Sequence, residues 1–311
     1  MNYIVYKLAF QSAVHFGRLN LEDGEYTCCA DTIFSALCQE ALQIGTDVLQ
    51  QFYQYAKTGI LLLSDAFPYM GNTLFLPKPM KHIETEGNKG DSTIKKAYKK
   101  LKYIPMDLIG TYLSGKYDVL NVTTADIGKL GYFDMKTAAS IRGEEQTTPY
   151  RIGTYYYNEG NGIYLIAGVQ ESKASTLLEE LLEHLSFSGI GGKRTSGFGR
   201  FVLDSGKLPS NFCKRLENTG TRFMSLSVSL PKENELMSAL DGAEYLLCKR
   251  SGFVASEQYA PTQMRKRDLY VMKAGSCFNY RFQGDIYDVS QQEGSHPVYR
   301  YAKPMFMEVD A

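Results

Sequence analysis

The sequence predicts an α+β fold in two units of similar element order. Three observations predict it. Short alternating or continuously apolar runs, the mark of strands, recur along all 311 residues. Two amphipathic helical runs interrupt them in the first two thirds. A second round of strand, short helix and strands begins near Arg222. At this length two cores are expected, and 44% hydrophobic with 22% charged residues suits a folded chain.

In chain order, "NYIVYKLAF" alternates as a strand does, and "GRLNLEDGEY" reads as a loop. Asp31 is placed to cap a helix, its carboxylate accepting free N–H groups of the first turn. Ile33, Phe34, Leu37, Cys38, Ala41, Leu42, Val48, Leu49 and Phe52 then recur at helical spacing. "GILLLSDAFPY" and "TLFLPKP" are two strands joined around Met70–Asn72. Residues 81–148 read as an insertion. Seven lysines face three acids between Lys81 and Lys102, and "STIKKAYKKLKYI" is helical there. Its charge suits either a partner or a solvated helix face. Apolar spacing then fades towards an exposed arm. "RIGTYYY" and "GIYLIAGV" flank "NEGN" as a hairpin would. In "ASTLLEELLEHLSF", Leu177, Leu178, Leu181, Leu182 and Leu185 share a stripe and Glu179, Glu180 and Glu183 face away. "FGRFVLD" closes the round. Strand, helix, two strands, helix, strand is the order of a ferredoxin-like split βαβ unit, spanning 1–205. Residues 206–311 form a second, degenerate unit: a linker and connecting segment, then "RFMSLSVSLP", a short helix in "KENELMSAL", and strands in "EYLLCKRSGFV", "LYVMKAGSCFNYRF" and "PVYRYAKPMFMEV".

Composition narrows the function. No apolar run approaches the ~18 residues of a membrane span, and the N-terminus is not built like a signal peptide, so a cytoplasmic protein is expected. Cys28, Cys29, Cys38, Cys213, Cys248 and Cys277 include no CxxC pair and read as free thiols. With His15, His82, His184 and His296 they make no zinc pattern. A formal net charge of zero argues against indiscriminate polyanion binding but leaves room for a local basic groove. The 23 tyrosines and 16 phenylalanines can pack a core or stack on bases.

One stretch carries most of the chemistry. "GIGGKRTSGFGRF", Gly189–Phe201, holds five glycines, one lysine and two arginines. A Walker A loop fails here, because Arg194 follows Gly192-Lys193 and Phe187 stands where the first glycine is needed. The dinucleotide pattern fails at Arg194. This loop also follows a helix and opens a strand, the reverse of a dinucleotide site. Two readings stay open on the residues alone. Close-approaching backbone amides with Lys193, Arg194 and Arg200 would grip a polynucleotide backbone. A plain glycine-rich turn with solvated bases fits equally.

The same stretch resembles the glycine-rich loop of the RAMP superfamily of CRISPR proteins. There it lies between the last helix and last strand of a ferredoxin-like unit. "FQSAVHFG" followed by "ADTIFSALCQEAL" resembles the subunit of the type III-A effector, the Csm complex, that holds the crRNA 5′ handle. "KKLKYIPMDL", "KRSGFV" and "HPVYRYAKPMF" fit the same subunit, so the resemblance covers nearly the whole chain. It implies tandem ferredoxin-like (RRM-like) units with RNA across the face between them. On that template Gly191, Gly192, Lys193, Arg194, Thr195, Ser196, Gly197, Phe198, Gly199 and Arg200 grip the handle. His15, Phe16, Gly17 and Arg18 lie near the same face, with His15 bonding or stacking on a base. Lys249, Arg250, Ser251 and Gly252 contribute from the second unit. In relatives a thumb-like arm reaches over the guide and disrupts its pairing with target, and Tyr132, Met135 and Arg142 are candidates for that role.

The resemblance implies a non-catalytic subunit without metal or cofactor. Its expected partners are the crRNA 5′ handle, target RNA near the handle end, a large polymerase-like CRISPR subunit and the RAMP backbone subunit. The competing reading is a metal-independent endoribonuclease that processes precursor crRNA. His15 is the one histidine placed for general acid–base work, yet "VHFGRLNLED" offers it no evident second base. Asp23 sits roughly where backbone subunits carry a cutting aspartate, but its flanks do not match.

Overall fold

The alternation of "NYIVYKLAF" forms strand β1 (Asn2–Phe10) at the heart of the largest sheet. The structure, a computed structural model, describes residues 1–17, 20–84, 92–120, 127–140, 148–256 and 258–310. The remaining strands are β2 (Leu61–Leu63), β3 (Phe67–Met70), β4 (Thr73–Pro77), β5 (Tyr103–Pro105), β6 (Gly131–Ser140), β7 (Thr148–Tyr157), β8 (Asn161–Val169) and β9 (Phe201–Lys207), then β10 (Phe223–Ser225), β11 (Leu247–Arg250), β12 (Leu269–Met272), β13 (Cys277–Phe278), β14 (Asp285–Asp288), β15 (Tyr299–Ala302) and β16 (Phe306–Glu308). The helices are α1 (Ala30–Ile44), α2 (Thr46–Thr58), α3 (Ser92–Lys100), α4 (Ile109–Leu113), α5 (Ser172–Ser188), α6 (Ser210–Glu217) and α7 (Leu236–Leu240). The fold is mixed α and β, with every strand pairing antiparallel. Among the described residues no helix is long and apolar enough to cross a membrane.

The large sheet runs β5-β4-β3-β8-β1-β9, with β2 also on β8. Side chains alternate across β1. Tyr6 and Leu8 enter a core with α1, α2 and α5, where Phe34, Leu37, Phe52, Leu178, Leu181, Leu182 and Leu185 are buried. Val5 enters a second core on the opposite face with Phe67, Tyr164 and Ile166. That core is completed by Ile104, Met106, Tyr112 and Leu113 and by Met224, Leu226, Met305 and Met307 from the C-terminal third. Cover on both faces explains why "GIYLIAGV" is continuously apolar rather than alternating. A small sheet, β13-β10-β16, and the pairs β11-β12 and β14-β15 make up the C-terminal third.

Five details depart from the sequence reading. The helical run from Ile33 to Phe52 is two helices, because Gly45 is extended (φ 176°, ψ 156°) and breaks it. Asp31 does not cap α1. Cys29 precedes the helix, and it is the Asp65 carboxylate that accepts the Ala30 N–H at 2.8 Å. That demand on Asp65 also splits "GILLLSDAFPY": Ser64–Ala66 bulge between β2 and β3, and the Ser64 hydroxyl accepts from the Ile166 amide instead. Finally, "NEGN" does not join a hairpin. β7 pairs with β6 over ten residues, while β8 pairs with β1, β2 and β3. Tyrosines on β7 find better cross-strand partners on β6, Tyr156 stacking on Tyr132 at 5.3 Å. The segment 81–148 is also less separate than its charge suggests, since β5 extends the sheet edge and its neighbours enter the core.

Candidate nucleic-acid interface

Helix α5 ends where Gly189 turns to φ +83°, its N–H donating to the Leu185 carbonyl at 2.7 Å. The loop that follows is laced to residues 11–16. The Gly199 N–H donates to Ala13 O at 2.9 Å, the Gly192 N–H to His15 O at 2.9 Å and the Gln11 N–H to Arg200 O at 2.9 Å. Ile190 and Phe198 are buried and fix the loop from below. Contact leaves no room for a Cβ at four of the loop's five glycines, all but Gly197. A Cβ on Gly199, at φ +78°, would stand 2.1 Å from the Ile190 carbonyl oxygen, and one on Gly192 would stand 2.6 Å from His15 Cδ2. Between them Lys193 is left-handed at φ 61°, the one non-glycine residue so placed among those described. Such a conformation costs on the order of 1–3 kcal/mol and persists only where surroundings enforce it.

The arm β6–β7 is what surrounds it. Lys193 Nζ donates to the Tyr150 hydroxyl at 3.1 Å and lies 4.6 Å from that ring's centre. From the arm Lys136 reaches back, 4.8 Å over the Phe198 ring and 5.3 Å over Tyr156. The arm is rooted on the segment after β1. Val14 and Tyr155 exchange backbone hydrogen bonds at 2.9 Å, and the Gly153 N–H donates to Leu21 O at 2.8 Å. Tyr132, Phe133 and Met135 are exposed along it.

His15 stands where loop and arm meet. Its side chain is only 6% exposed. Nδ1 lies 2.7 Å from the Gly153 carbonyl oxygen on β7, so Nδ1 carries the proton and donates. Its ring lies beneath Gly192 and beside Gly17. Phe16 is buried, edge-on to Phe10 at 6.1 Å. Arg194 folds back onto α1, its guanidinium donating to Gln39 and lying 3.5 Å from Glu40. Arg200, Thr195 and Ser196 face solvent, and the Arg200 guanidinium has no partner among the described residues. Arg18 and Arg142 lie outside the described residues.

The residues of the second unit gather at the other end of α1. Lys249 is exposed and paired with Asp268 at 2.6 Å. Arg250 grips Asp31 with two hydrogen bonds, Nε to Oδ2 at 2.9 Å and Nη2 to Oδ1 at 2.8 Å, and reaches Thr32 at 2.9 Å. Arg300 joins the same carboxylate and donates to the Ser251 carbonyl at 3.3 Å. Burial pushes the Asp31 carboxyl up, but Arg250 and Arg300 outweigh it and hold it below the usual range. Burial also pushes Asp65, which lacks such a partner, up to about 7. Asp31 and Gln39 are about 12 Å apart along α1, so the helix spans both basic groups.

The structure therefore brings His15, Gly17, the glycine loop, Tyr132 and Met135 into one region, and sets Lys249–Gly252 at a second station on α1. Sequence reasoning missed Lys136, Tyr150 and Tyr156, which share the face of the arm turned to Phe198. Their signal was the even-numbered spacing within two ten-residue runs, invisible until β7 is paired with β6.

Comparison with known proteins agrees over the whole chain. The family profile for the CRISPR Csm4 C-terminal domain matches residues 218–309. A protein of Mycobacterium tuberculosis named CRISPR system Cms protein Csm4 is 39% identical over 308 residues, covering 99% of this chain and 98% of its own. One of the same name from Streptococcus thermophilus is 34% identical over 323 residues, covering both chains fully. In fold, the chain is similar to one in the crystal structure of the Csm3-Csm4 subcomplex of the type III-A CRISPR-Cas interference complex, with TM-score 0.67, 17% identity and 99% of each chain covered. It is similar also to one in the Csm1-Csm4 cassette in complex with cA4, with TM-score 0.61, 16% identity and 98% of each chain covered. Identity at this level over the full length shows that the chain belongs to the Csm4 family of type III-A CRISPR complexes.

Proposed function

We propose that this chain is the non-catalytic subunit that anchors the repeat-derived 5′ handle of crRNA in a type III-A complex. One observation carries the reading: the glycine loop, strapped to residues 11–16 and faced by the arm, sets the cations Lys193 and Arg200 beside the exposed Thr195 and Ser196 in one place. Cations and hydroxyls of this kind hold phosphates without reading sequence. The exposed arm, with Tyr132 and Met135, is the part that meets target RNA near the handle end.

The ferredoxin-like reading of 1–205 is supported by the strand order β9-β1-β8-β3 with α1 and α5 on one face. The order β16-β10-β13 supports a degenerate copy in 206–311. Two protein neighbours are assigned to the chain, the large polymerase-like subunit and the RAMP backbone subunit. Relatives of similar fold crystallised as a Csm1–Csm4 cassette and a Csm3–Csm4 subcomplex support two distinct neighbours. A non-catalytic His15 is supported by its burial and by the backbone carbonyl that accepts the hydrogen bond of its Nδ1–H.

The test is a salt titration of binding to the repeat-derived 5′ segment of guide RNA, with the RNA also run on a gel. Arg200→Ala is expected to reduce the slope of log affinity against log salt by about 0.7, the value for one phosphate contact on a single strand. Intact RNA after incubation is expected. An unchanged slope would remove Arg200 from the interface, and cleaved RNA would overturn the non-catalytic assignment.

A further inference from the structure

The two cations of the glycine loop are not equally free. Arg200 is exposed, and its guanidinium has no partner among the described residues. Lys193 is half-buried under the arm, where its Nζ donates to the Tyr150 hydroxyl at 3.1 Å and lies 4.6 Å from the centre of that ring. A lysine ammonium has three donors, but the side turned to Tyr150 faces a negative π cloud, which repels a phosphate. Lys193 is also left-handed at φ 61°. That backbone state persists only where its surroundings hold it, and the contact with Tyr150 is one such hold.

A second contact closes the same seam from the other side. Lys136 on β6 lies 4.8 Å over the ring of Phe198, a buried residue of the loop. Tyr150 stands opposite Ala138, and Lys136 belongs to the next pair on that face, with Ile152. One face of the arm therefore delivers both contacts. The root of the arm is held separately, by the backbone bonds between Val14 and Tyr155 and by His15 at Gly153. We propose that the arm is an autoinhibitory latch on the glycine loop: Tyr150 withholds Lys193 until a phosphate of the 5′ guide segment takes it, and that exchange frees the arm beyond its root. This rests on the RNA-binding reading above and adds regulation of the same site. A charge-assisted bond to phosphate is stronger than one to a neutral hydroxyl, which gives the exchange its direction. The coupling is reciprocal, so whatever loosens the arm must tighten the RNA.

Tyr150→Leu tests it in the full chain, because a latch and an RNA contact predict opposite signs. Loss of the latch is expected to tighten binding of the 5′ guide segment about two- to fivefold, the worth of a cation–π contact near the surface. Tyr150→Phe, which keeps the ring and loses the hydroxyl, is expected to tighten it less, and it carries the test if Tyr150→Leu does not fold. In a Lys193→Gln background, Tyr150→Leu is expected to change nothing further. The chain has no tryptophan, so Tyr132→Trp on the arm reports alone. Its time-resolved anisotropy is expected to show faster local motion once the RNA is bound. Weaker binding by Tyr150→Leu would make Tyr150 an RNA contact, and unchanged binding would make it neither. Each overturns the latch and leaves the RNA reading standing. Tightening that persists beside Lys193→Gln, or local motion of the arm indifferent to RNA, would overturn the latch as well. No binding by the parent protein would overturn both readings.

Discussion

Asp31→Asn is the substitution that the structure predicts to be most damaging for its size. The change keeps shape and removes charge, so no cavity enters the account. Asp31 accepts two hydrogen bonds from Arg250 and one from Arg300, and neither its carboxylate nor Arg300 reaches solvent. Removing one partner of a buried ion pair costs about 3–5 kcal/mol, because the other charge stays buried without compensation. Arg250 is partly exposed and can turn towards water, whereas Arg300 cannot. That places the expected loss near the lower end, about 3 kcal/mol, a large share of the roughly 5–15 kcal/mol that holds a domain together. Urea unfolding followed by circular dichroism measures it. The pH dependence has a definite sign. The Asp31 carboxyl is held low in the folded state, so its contribution is complete above the unfolded carboxylate range and fades as pH falls through the folded value. The variant and parent should converge in acid. A loss below about 1 kcal/mol at neutral pH, the worth of an exposed pair, would refute the view that this cluster fastens the C-terminal third to α1.

The remaining predictions concern Asp65 and the loop. The folded Asp65 carboxyl is raised to about 7. The folded state therefore holds a proton that the unfolded state releases near pH 4, and stability falls as pH rises across that interval. Asp65→Asn, which cannot ionise, should lack this fall, and the two proteins should diverge by up to about 4 kcal/mol between pH 4 and 7. Urea midpoints against pH decide it, and parallel curves would count against it. Gly199→Ala puts a Cβ into the Ile190 carbonyl at a positive φ, so a loss of about 1–3 kcal/mol is expected in thermal unfolding. A neutral result would mean the loop is not held by residues 11–16 as described.

Much of the first two thirds was legible because local pattern and tertiary need coincide there. The Leu178–Leu185 stripe faces the core that its spacing predicts, and the glycine loop lies between a helix and a strand as read. The misread places are those where a distant group decides. Gly45 looks harmless within a helical spacing, yet an extended backbone there lets α2 fold back on α1. Nothing near Asp31 in sequence announces Arg250 or Arg300, more than 200 residues away, so a first-turn carboxylate was read as a cap. "RIGTYYY" followed by a turn looks like half a hairpin, and only the match of Tyr156 with Tyr132 shows which strand it pairs with. The "KRSG" stretch carries the charge that the resemblance asks for, but Arg250 spends its guanidinium on Asp31.

That commitment of Arg250 bears on how the chain is organised around α1. Arg194 is tethered to Gln39 and Glu40, and Arg250 to Asp31 and Thr32, so one helix positions a cation at each station. Helix α1 is itself fixed by the buried Phe34 and Leu37 against α2 and β15, with Phe34 tilted on Tyr301 at 5.4 Å. A rigid helix keeps the stations about 12 Å apart whatever the flanking loops do. The arm is set by a different link, since His15 holds Gly153 on β7 from beneath the glycine loop. Loop and arm thus share His15, and loop and second unit share α1. A ligand that bridged the loop and the second unit would meet groups whose spacing is fixed before it arrives, which lowers the ordering cost of binding.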